Sequence, residues 1–589
     1  MSGKPSIPKE RRIPTRKEAV VFRAKSALLQ ARRFLRDRAS SKVARFSAAE
    51  GLKDVPVIAR SITPLWTEAE PQERALVAGK IQNLRIAIGF VDGVEVPAGE
   101  IFSFWRHVGR ATRRRGFVEG RELREGCIIP NIGGGLCQIS NALFDVAAQA
   151  GFEIVERHRH TQIVAGSLAE SGRDATVFWN YVDLRFRSAS PFRISARMDS
   201  ENLTVEIRGE KVETKTLHQI NGSNAKPEHI GSCATCQVDD CHRVVTRSET
   251  KNFGSAAWLV DEYSPEFDDY VQRERSAYDL LCIPIDGKRF RKGNYAWNAG
   301  GFLTVKQSLF VTLLRSYRSR RLAAQGAARQ KNLLAMYEAL AESYARRLTF
   351  DTLHITVHQN LLPYLWKSGH LGGRTFDVLM TALPMAELQG RLDLAARSHP
   401  QSETLGDFRA DAELVFAEAE ALNHARKIIT PHSDIASYFG DRAEKIDWRM
   451  PEAGRLEAKA VNEKPVVVFP SSTVGRKGCY ELREAIRGLN LKLIILGPSV
   501  EGAEFWEGFE VERGADDWLS RADLVVLPAF VEHRPRRLLA AAGAGIPVIA
   551  SAACGVSNVP GVHVLKSPEN AELYGAIRST LRIDQPPRI

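Results

Sequence analysis

A chain of 589 residues is too long for one hydrophobic core, so two to four domains are expected. Its 44% hydrophobic and 26% charged residues match a globular protein and exclude a disordered or membrane-embedded one. The net charge of +12 argues against nucleic-acid binding once it is located: residues 1–46 hold 14 Lys/Arg against 3 Asp/Glu, a net of +11, which leaves +1 for the other 543.

Residues 1–50 read as a basic tail, polar and proline-bearing over 4–17 and helix-like over 19–38. There Val20, Val21, Ala24, Leu28, Phe34 and Leu35 are interspersed with arginines. Two readings stay open: a solvated basic extension, or a surface that docks on a partner or on anionic lipid. No continuous apolar h-region and no run of about 18 apolar residues occurs, so neither a secretory signal nor a membrane span is expected. The cytoplasm is the expected compartment, with the inner membrane face as the peripheral alternative. Eight cysteines spread through such a chain are expected reduced.

Residues 51–211 read as one α+β domain. Strands are expected at 152–156, 175–179, 182–187, 192–198 and 203–207, with a helix over 138–150 stopped by Gly151. Three glycines, Gly133 to Gly135, lead into that helix and place Cys137 at its N-terminus, where unpaired N–H groups and the dipole favour a thiolate. His158 and His160 follow, then Asp174. Cysteine, histidine and aspartate in that order fit a nucleophile, its base and an orienter. The bland reading stands beside it: a small buried cysteine, glycines that serve packing, and an aspartate that caps a turn.

Four ordered segments here resemble the VanW family: Pro-Ala-Gly-Glu-Ile-Phe-Ser-Phe-Trp (97–105), Gly-Gly-Gly-Leu-Cys-Gln-Ile-Ser-Asn-Ala-Leu-Phe (133–144), Ile-Val-Glu-Arg-His-Arg-His (154–160) and Asp-Ala-Thr-Val (174–177). The family pattern ranks His160 ahead of His158 as the partner of Cys137. The order of the three groups also resembles, more loosely, transglutaminase- and papain-like thiol enzymes. Together these imply a Cys137–His160–Asp174 site for acyl or amide chemistry.

Residues 212–255 form a cysteine-rich linker. The C-x2-C pair Cys233 and Cys236, with Cys241 close by, suits a structural zinc site whose fourth ligand is His229, His242 or Cys282. An iron–sulfur centre or free reduced thiols are the alternatives.

From residue 256 onward strand and helix patterns alternate, which implies parallel sheets and two Rossmann-like lobes, 256–420 and 421–589. A long arginine-rich helical stretch is expected over 304–348. Val-Gly-Arg-Lys-Gly (474–478), Pro528-Ala-Phe-Val-Glu532 and the segment 544–551 resemble retaining GT-B glycosyltransferases. That resemblance implies a nucleotide-sugar donor, UDP- or GDP-linked, with Arg476 and Lys477 on the diphosphate, Glu532 on the ribose and His358 on the acceptor side. The chain departs from the pattern at Ala540, where a second glutamate is usual, and at Ser472, where an arginine is usual.

The fold class expected is therefore multidomain α/β: an α+β VanW-like domain, a cysteine-rich linker and a two-lobed GT-B-like region. The leading functional expectation is a transferase in cell-envelope polysaccharide or glycoconjugate synthesis. A thiol acyl-transfer or amidase-type enzyme on envelope precursors, and a non-catalytic envelope-assembly factor, are the alternatives.

Overall fold

The computed structural model describes residues 16–39, 43–67, 73–124, 127–160, 167–211, 231–232, 253–322, 326–451, 462–514, 516–566 and 570–583. The chain forms two compact units. The first takes residues 1–255 together with the later segments 349–353 and 368–374, and the second takes the remainder.

The first unit begins with helix α1 (Arg16–Ala39). Along the chain follow β1 (Val57–Pro64), α2 (Arg74–Ile88), β2 (Glu95–Val96), β3 (Ile101–Ser103), α3 (Phe104–Val108), β4 (Glu119–Arg124), β5 (Cys127–Ile132), α4 (Cys137–Gln149), β6 (Glu153–Glu156), β7 (Arg185–Arg187), β8 (Phe192–Met198), β9 (Asn202–Gly209) and β10 (Gly231–Ser232). Antiparallel strands in the order β1-β9-β8-β2 make the main sheet, and α4 packs on β1 and β9. Ile139, Ala142, Leu143, Val146 and Ala147 recur at helical spacing and are fully buried. Burying side chains the size of Leu143 contributes about 2 kcal/mol each. Alternation in β8 likewise sends Phe192, Ile194, Ala196 and Met198 into the same core.

Three expectations about secondary structure and the N-terminal helix are corrected. Residues 175–179 are not a strand. A turn at Phe178–Val182, with Asn180 at φ 57°, ends the extended run, and its backbone groups bond to α4 and to His158 instead. Helix α1 is not a free solvated extension. Ser26, Gln30, Arg33 and Asp37 share its inner face, where Arg33 donates to Glu156 at 2.6 Å and Arg185 donates to Asp37 at 3.1 Å. In the second unit, residues 304–348 open with a strand, Thr304–Gln307, before two helices, Leu309–Arg320 and Ala327–Ala345.

The segment 368–374 closes on α2. Both Nε and Nη2 of Arg85 donate to the Gly372 carbonyl, at 3.2 and 2.6 Å. Gly373, at φ 70°, lies so close that a Cβ there would sit 2.3 Å from Ile81.

In the second unit, β11 (Ala256–Leu259), β12 (Leu280–Ile283), β13 (Thr304–Gln307), β14 (His354–His358), β15 (Thr375–Leu379), β16 (Lys427–Thr430) and β17 (Ala443–Lys445) form a parallel sheet in the order β13-β12-β11-β14-β15-β16-β17. A second parallel sheet holds β18 (Val466–Phe469), β19 (Lys492–Ile495), β20 (Val511–Arg513), β21 (Leu524–Leu527), β22 (Val548–Ser551) and β23 (Val562–Leu565), in the order β20-β19-β18-β21-β22-β23. Their continuous apolar runs, such as Val466-Val-Val-Phe469, follow from covering both faces of a parallel sheet. The first sheet runs through to Lys445, beyond the lobe boundary expected at 420, because β16 pairs with β15 and β17 with β16. Each sheet reverses strand order once, at β11/β14 and at β18/β21. Ligands of doubly wound sheets bind in the crevice outside the carboxyl ends of strands at that reversal.

Candidate functional site

The first site is built from the glycine turn. The hairpin β4–β5 delivers the chain to Asn131, and Gly133 and Gly135 then take φ of 79° and 94°. A Cβ on Gly134 would lie 2.3 Å from the Gly120 carbonyl oxygen, and one on Gly135 would lie 2.1 Å from Lys80 Cγ. The glycines therefore serve close packing as well as the turn. Asn83 of α2 locks it, its amide donating to the carbonyls of Gly134 and Val118 at 2.9 and 3.0 Å.

Helix α4 starts at Cys137 and has no side-chain cap. One turn on, Ser140 donates to the Ala175 carbonyl at 2.6 Å, and the Asn141 side chain accepts from Ala175 N–H at 2.8 Å. These bonds pin the segment that carries Asp174 beside the start of the helix. Asp174, 3% exposed, accepts from His160 Nδ1 at 2.8 Å and from His160 N–H at 2.6 Å. Arg157 donates to its other oxygen at 3.1 Å, while its guanidinium lies 4.0 Å from the Phe144 ring centre. With Nδ1 held by Asp174, Nε2 is the ring nitrogen available to Cys137, whose Sγ sits 4.0 Å from the Val177 carbonyl oxygen. His158 lies apart, half exposed and 3.5 Å from Glu156.

The electrostatics follow from this arrangement. Burial disfavours a charged His160, but its hydrogen bonds to Asp174 and Cys137 outweigh that and lift its pKa to about 10. Burial likewise opposes the Asp174 carboxylate, yet His160 and Arg157 hold its pKa below the usual value. Cys137 and His160 both line a cavity of about 730 Å³, with Asn141, Thr176, Lys80 and Arg121 also in its wall. A thiol and an imidazole at one cavity wall, with a carboxylate behind the imidazole, are groups that nucleophilic acyl chemistry uses. Lys80 and Arg121 were not anticipated. The signal for Lys80 was a lone cation on the Val77–Ile81–Leu84 face of α2, all three of which are buried.

The second cluster lies at the two strand-order reversals of the second unit. Asp261 and Glu262 follow β11, and His358 ends β14. Arg315 donates to Asp261 at 2.7 Å and to Glu262 at 2.9 Å, and Asn360 donates to Asp261 at 3.3 Å. Burial, aided by Arg534 and Arg315, lowers the pKa of His358 against the pull of Asp261. After β18 and β21, Lys477 Nζ reaches Glu532 at 2.9 Å and the Val531 carbonyl at 2.9 Å. Burial opposes the Glu532 carboxylate, but Lys477 and the Arg534 N–H bring it down to about 2. Arg476 lies with its guanidinium 4.3 Å from the Phe408 ring centre. Gly475 N–H donates to Glu501 at 2.7 Å and to Thr404 at 2.9 Å. Two ion pairs join the lobes: Arg534 with Glu262 at 2.7 Å and Arg536 with Glu266. Arg476, Lys477 and Glu532 thus share one loop cluster, with Ser472 upstream in the same loop and Ala540 on the helix Arg536–Gly543.

The zinc-ligand candidates Cys233, Cys236 and Cys241 lie outside the described residues. Cys282 is fully buried in β12, where desolvation pushes its thiol up to about 12. Among the described residues, no group of three or more His, Cys, Asp or Glu is placed to hold a metal ion.

Comparison with known proteins places these features. Residues 79–208 match the family model described as VanW like protein. The uncharacterized protein YoaR of Bacillus subtilis is 32% identical over 140 residues, covering 23% of this chain and 46% of that protein. The vancomycin B-type resistance protein VanW of Enterococcus faecalis is 31% identical over 153 residues, covering 24% of this chain and 54% of the relative. The chain thus spans about half the length of each of these relatives. Among solved structures, sucrose-phosphate synthase from Thermosynechococcus elongatus is similar at 15% identity and a TM-score of 0.36, over 56% of this chain and 90% of that one. Anabaena HepE in complex with UDP and glucose is similar at 13% identity and a TM-score of 0.34, over 55% and 89%. No helix among the described residues is long and apolar enough to cross a membrane. Residues 79–208 are a VanW-like domain, carried on a chain that continues into two doubly wound, Rossmann-like lobes.

Proposed function

We propose that this chain acts in the synthesis of cell-envelope glycoconjugates, with its second unit binding a nucleotide-sugar donor for transfer to a glycan or envelope precursor. The observation that carries the reading is the grouping of Arg476, Lys477 and Glu532 at one strand-order reversal, with His358 at the other. Lys477 and Arg476 supply cations for a diphosphate, and Glu532, held ionised, is an acceptor for ribose hydroxyls. The motif resemblance is to retaining transferases, so the sugar keeps its anomeric configuration. Thermal melts of the full chain with UDP- and GDP-sugars test this. Stabilisation by one donor, lost in Lys477→Met, is expected; no stabilisation by any donor refutes the reading.

A second reading concerns the VanW-like domain and is favoured by Cys137 sharing a cavity wall with a His160 that Asp174 holds. The Cys137 thiolate attacks an acyl carbon, forming the S–C bond. The leaving amine or alcohol departs with the proton that His160 Nε2 donates, while Asp174 keeps Nδ1 protonated and the ring oriented. Water or an acceptor amine then releases the thioester, returning its proton to His160. Labelling Cys137 first among the cysteines by iodoacetamide at pH 7 supports this, and slower labelling than Cys127 contradicts it.

Helix α1 supports a peripheral membrane role. Opposite its docked face, Val20, Val21, Ala24, Leu28 and Leu35 form an exposed apolar stripe flanked by exposed Lys17, Lys25, Arg32 and Arg36. Flotation with vesicles containing anionic phosphatidylglycerol, lost in Leu28→Glu/Leu35→Glu, is the expected outcome.

A further inference from the structure

The wall of the cavity beside Cys137 holds a buried amine that no carboxylate partners among the described residues. Lys80, only 7% exposed, lays its stem on Gly135, two residues before Cys137, and lines the same cavity. Its ammonium donates to the Leu65 carbonyl at 2.6 Å, and among the described residues no carboxylate lies within ion-pair distance of it. Arg121 of β4 is close enough to oppose its charge. Arg121 donates to Thr67 at 2.9 Å and pairs with Glu73 at 3.2 Å, and its Nε is buried without an acceptor. The remaining charges of the wall are engaged or exposed. Glu122 bonds to Arg124 and Asn131, Arg173 bonds to Asp145, and Arg110 and Glu170 face solvent.

A buried cation without a counter-ion is costly, and the cost is relieved when an anion arrives. We propose that this cavity takes an acyl substrate bearing a free carboxylate, which Lys80 and Arg121 hold while Cys137 faces the acyl carbon. A guanidinium beside an ammonium suits the planar, two-oxygen geometry of a carboxylate. Burial and the nearby Arg121 bring Lys80 down to about 7, so a carboxylate in the cavity restores its charge as it binds. The proposal rests on the thiol reading of the VanW-like domain and names the substrate class of that same site.

Two measurements on the full chain separate failure of the proposal from failure of that reading. In the first, iodoacetate and iodoacetamide compete for Cys137 at pH 7.5, and peptide mass spectrometry gives the rate ratio. Relative to glutathione, the ratio is expected to favour iodoacetate by about fivefold, the effect of one unit charge at contact range in a high dielectric once the bound carboxylate has restored it. It should fall in Lys80→Met and Arg121→Met and persist in Lys80→Arg. His160 contributes equally in all of these, so the change among variants isolates the two cations. In the second, the thermal midpoint of Cys137→Ala is compared in succinate and in chloride at equal ionic strength. Selective stabilisation by succinate, lost on adding Lys80→Met, supports the carboxylate site without any chemistry at the thiol. An unchanged ratio in folded Lys80→Met, or no preference for succinate, overturns the proposal. Labelling of Cys137 by neither reagent overturns the thiol reading, and the succinate arm then decides the anion site alone.

Discussion

Replacing Asp174 with Asn tests whether the carboxylate behind His160 controls the reactivity of Cys137. The imidazole rises from 6.5 to about 10 although it is largely buried, and its hydrogen bonds to Asp174 and Cys137 account for that rise. If Asp174 supplies roughly half, its loss removes about 2 kcal/mol of imidazolium stabilisation at 1.36 kcal/mol per pKa unit. Iodoacetamide labelling of Cys137 at pH 7 depends on that imidazolium and should slow on the order of thirty-fold. The same linkage predicts a stability signature. His160 has a folded pKa above its unfolded value, so its contribution is complete below about 6.5 and is lost as pH rises towards about 10. Urea titrations at pH 6 and pH 9.5 should therefore show wild type losing stability over that window and Asp174→Asn losing less. Unchanged labelling in a folded Asp174→Asn variant, with the same pH slope as wild type, would refute the assignment.

Further outcomes follow from packing and charge elsewhere. Gly134→Ala should destabilise the first unit by about 3 kcal/mol, because its Cβ meets backbone atoms of Gly120 at 2.3 and 2.5 Å that cannot rotate away. Calorimetry should show the melting of the first unit moving down, and donor-dependent stabilisation should persist. Arg536→Met should cost about 2 kcal/mol by leaving the fully buried Glu266 without its guanidinium. The figure is held down because Arg536 is 34% exposed and Glu266 keeps bonds from Ser264 and Arg449 N–H, and Glu266→Gln added to it should recover part of the loss. Burial lifts Glu418 to about 7 despite hydrogen bonds from Met385 N–H and Gln359. Its folded pKa exceeds the unfolded 4.5, so the folded state binds the extra proton and stability falls as pH rises from 4.5 through 7. Denaturant melts of Glu418→Gln should lack that fall.

The glycine turn and the helix that Cys137 opens were legible because glycines and helical periodicity are local signals. The parallel sheets were legible for a similar reason, since strands covered on both faces leave unbroken apolar runs such as Val466–Phe469. Other features depend on distant partners and leave no local trace. Arg33 and Asp37 look like ordinary helix-surface charges until Glu156 and Arg185 come opposite them. The run 175–179 has strand-like residues, but its hydrogen bonds go to a helix, which periodicity does not encode. The extension of the first sheet to Lys445 was missed because β17 is three residues long and only half-buried. Lys477 and Glu532 each suggested a ligand contact, and their ion pair with one another shows only in three dimensions.

The first unit is not a stretch of sequence that scissors could release. Its core element α2 is completed by Gly372 and Gly373, which the ribosome adds more than a hundred residues after position 255. During synthesis, the guanidinium of Arg85 waits for its acceptor while β11 to β14 are made. A fragment ended at 255 would carry Cys137, His160 and Asp174, yet would leave that face of α2 uncovered. Attempts to study the thiol site in isolation are better served by inactivating substitutions in the intact chain than by truncation.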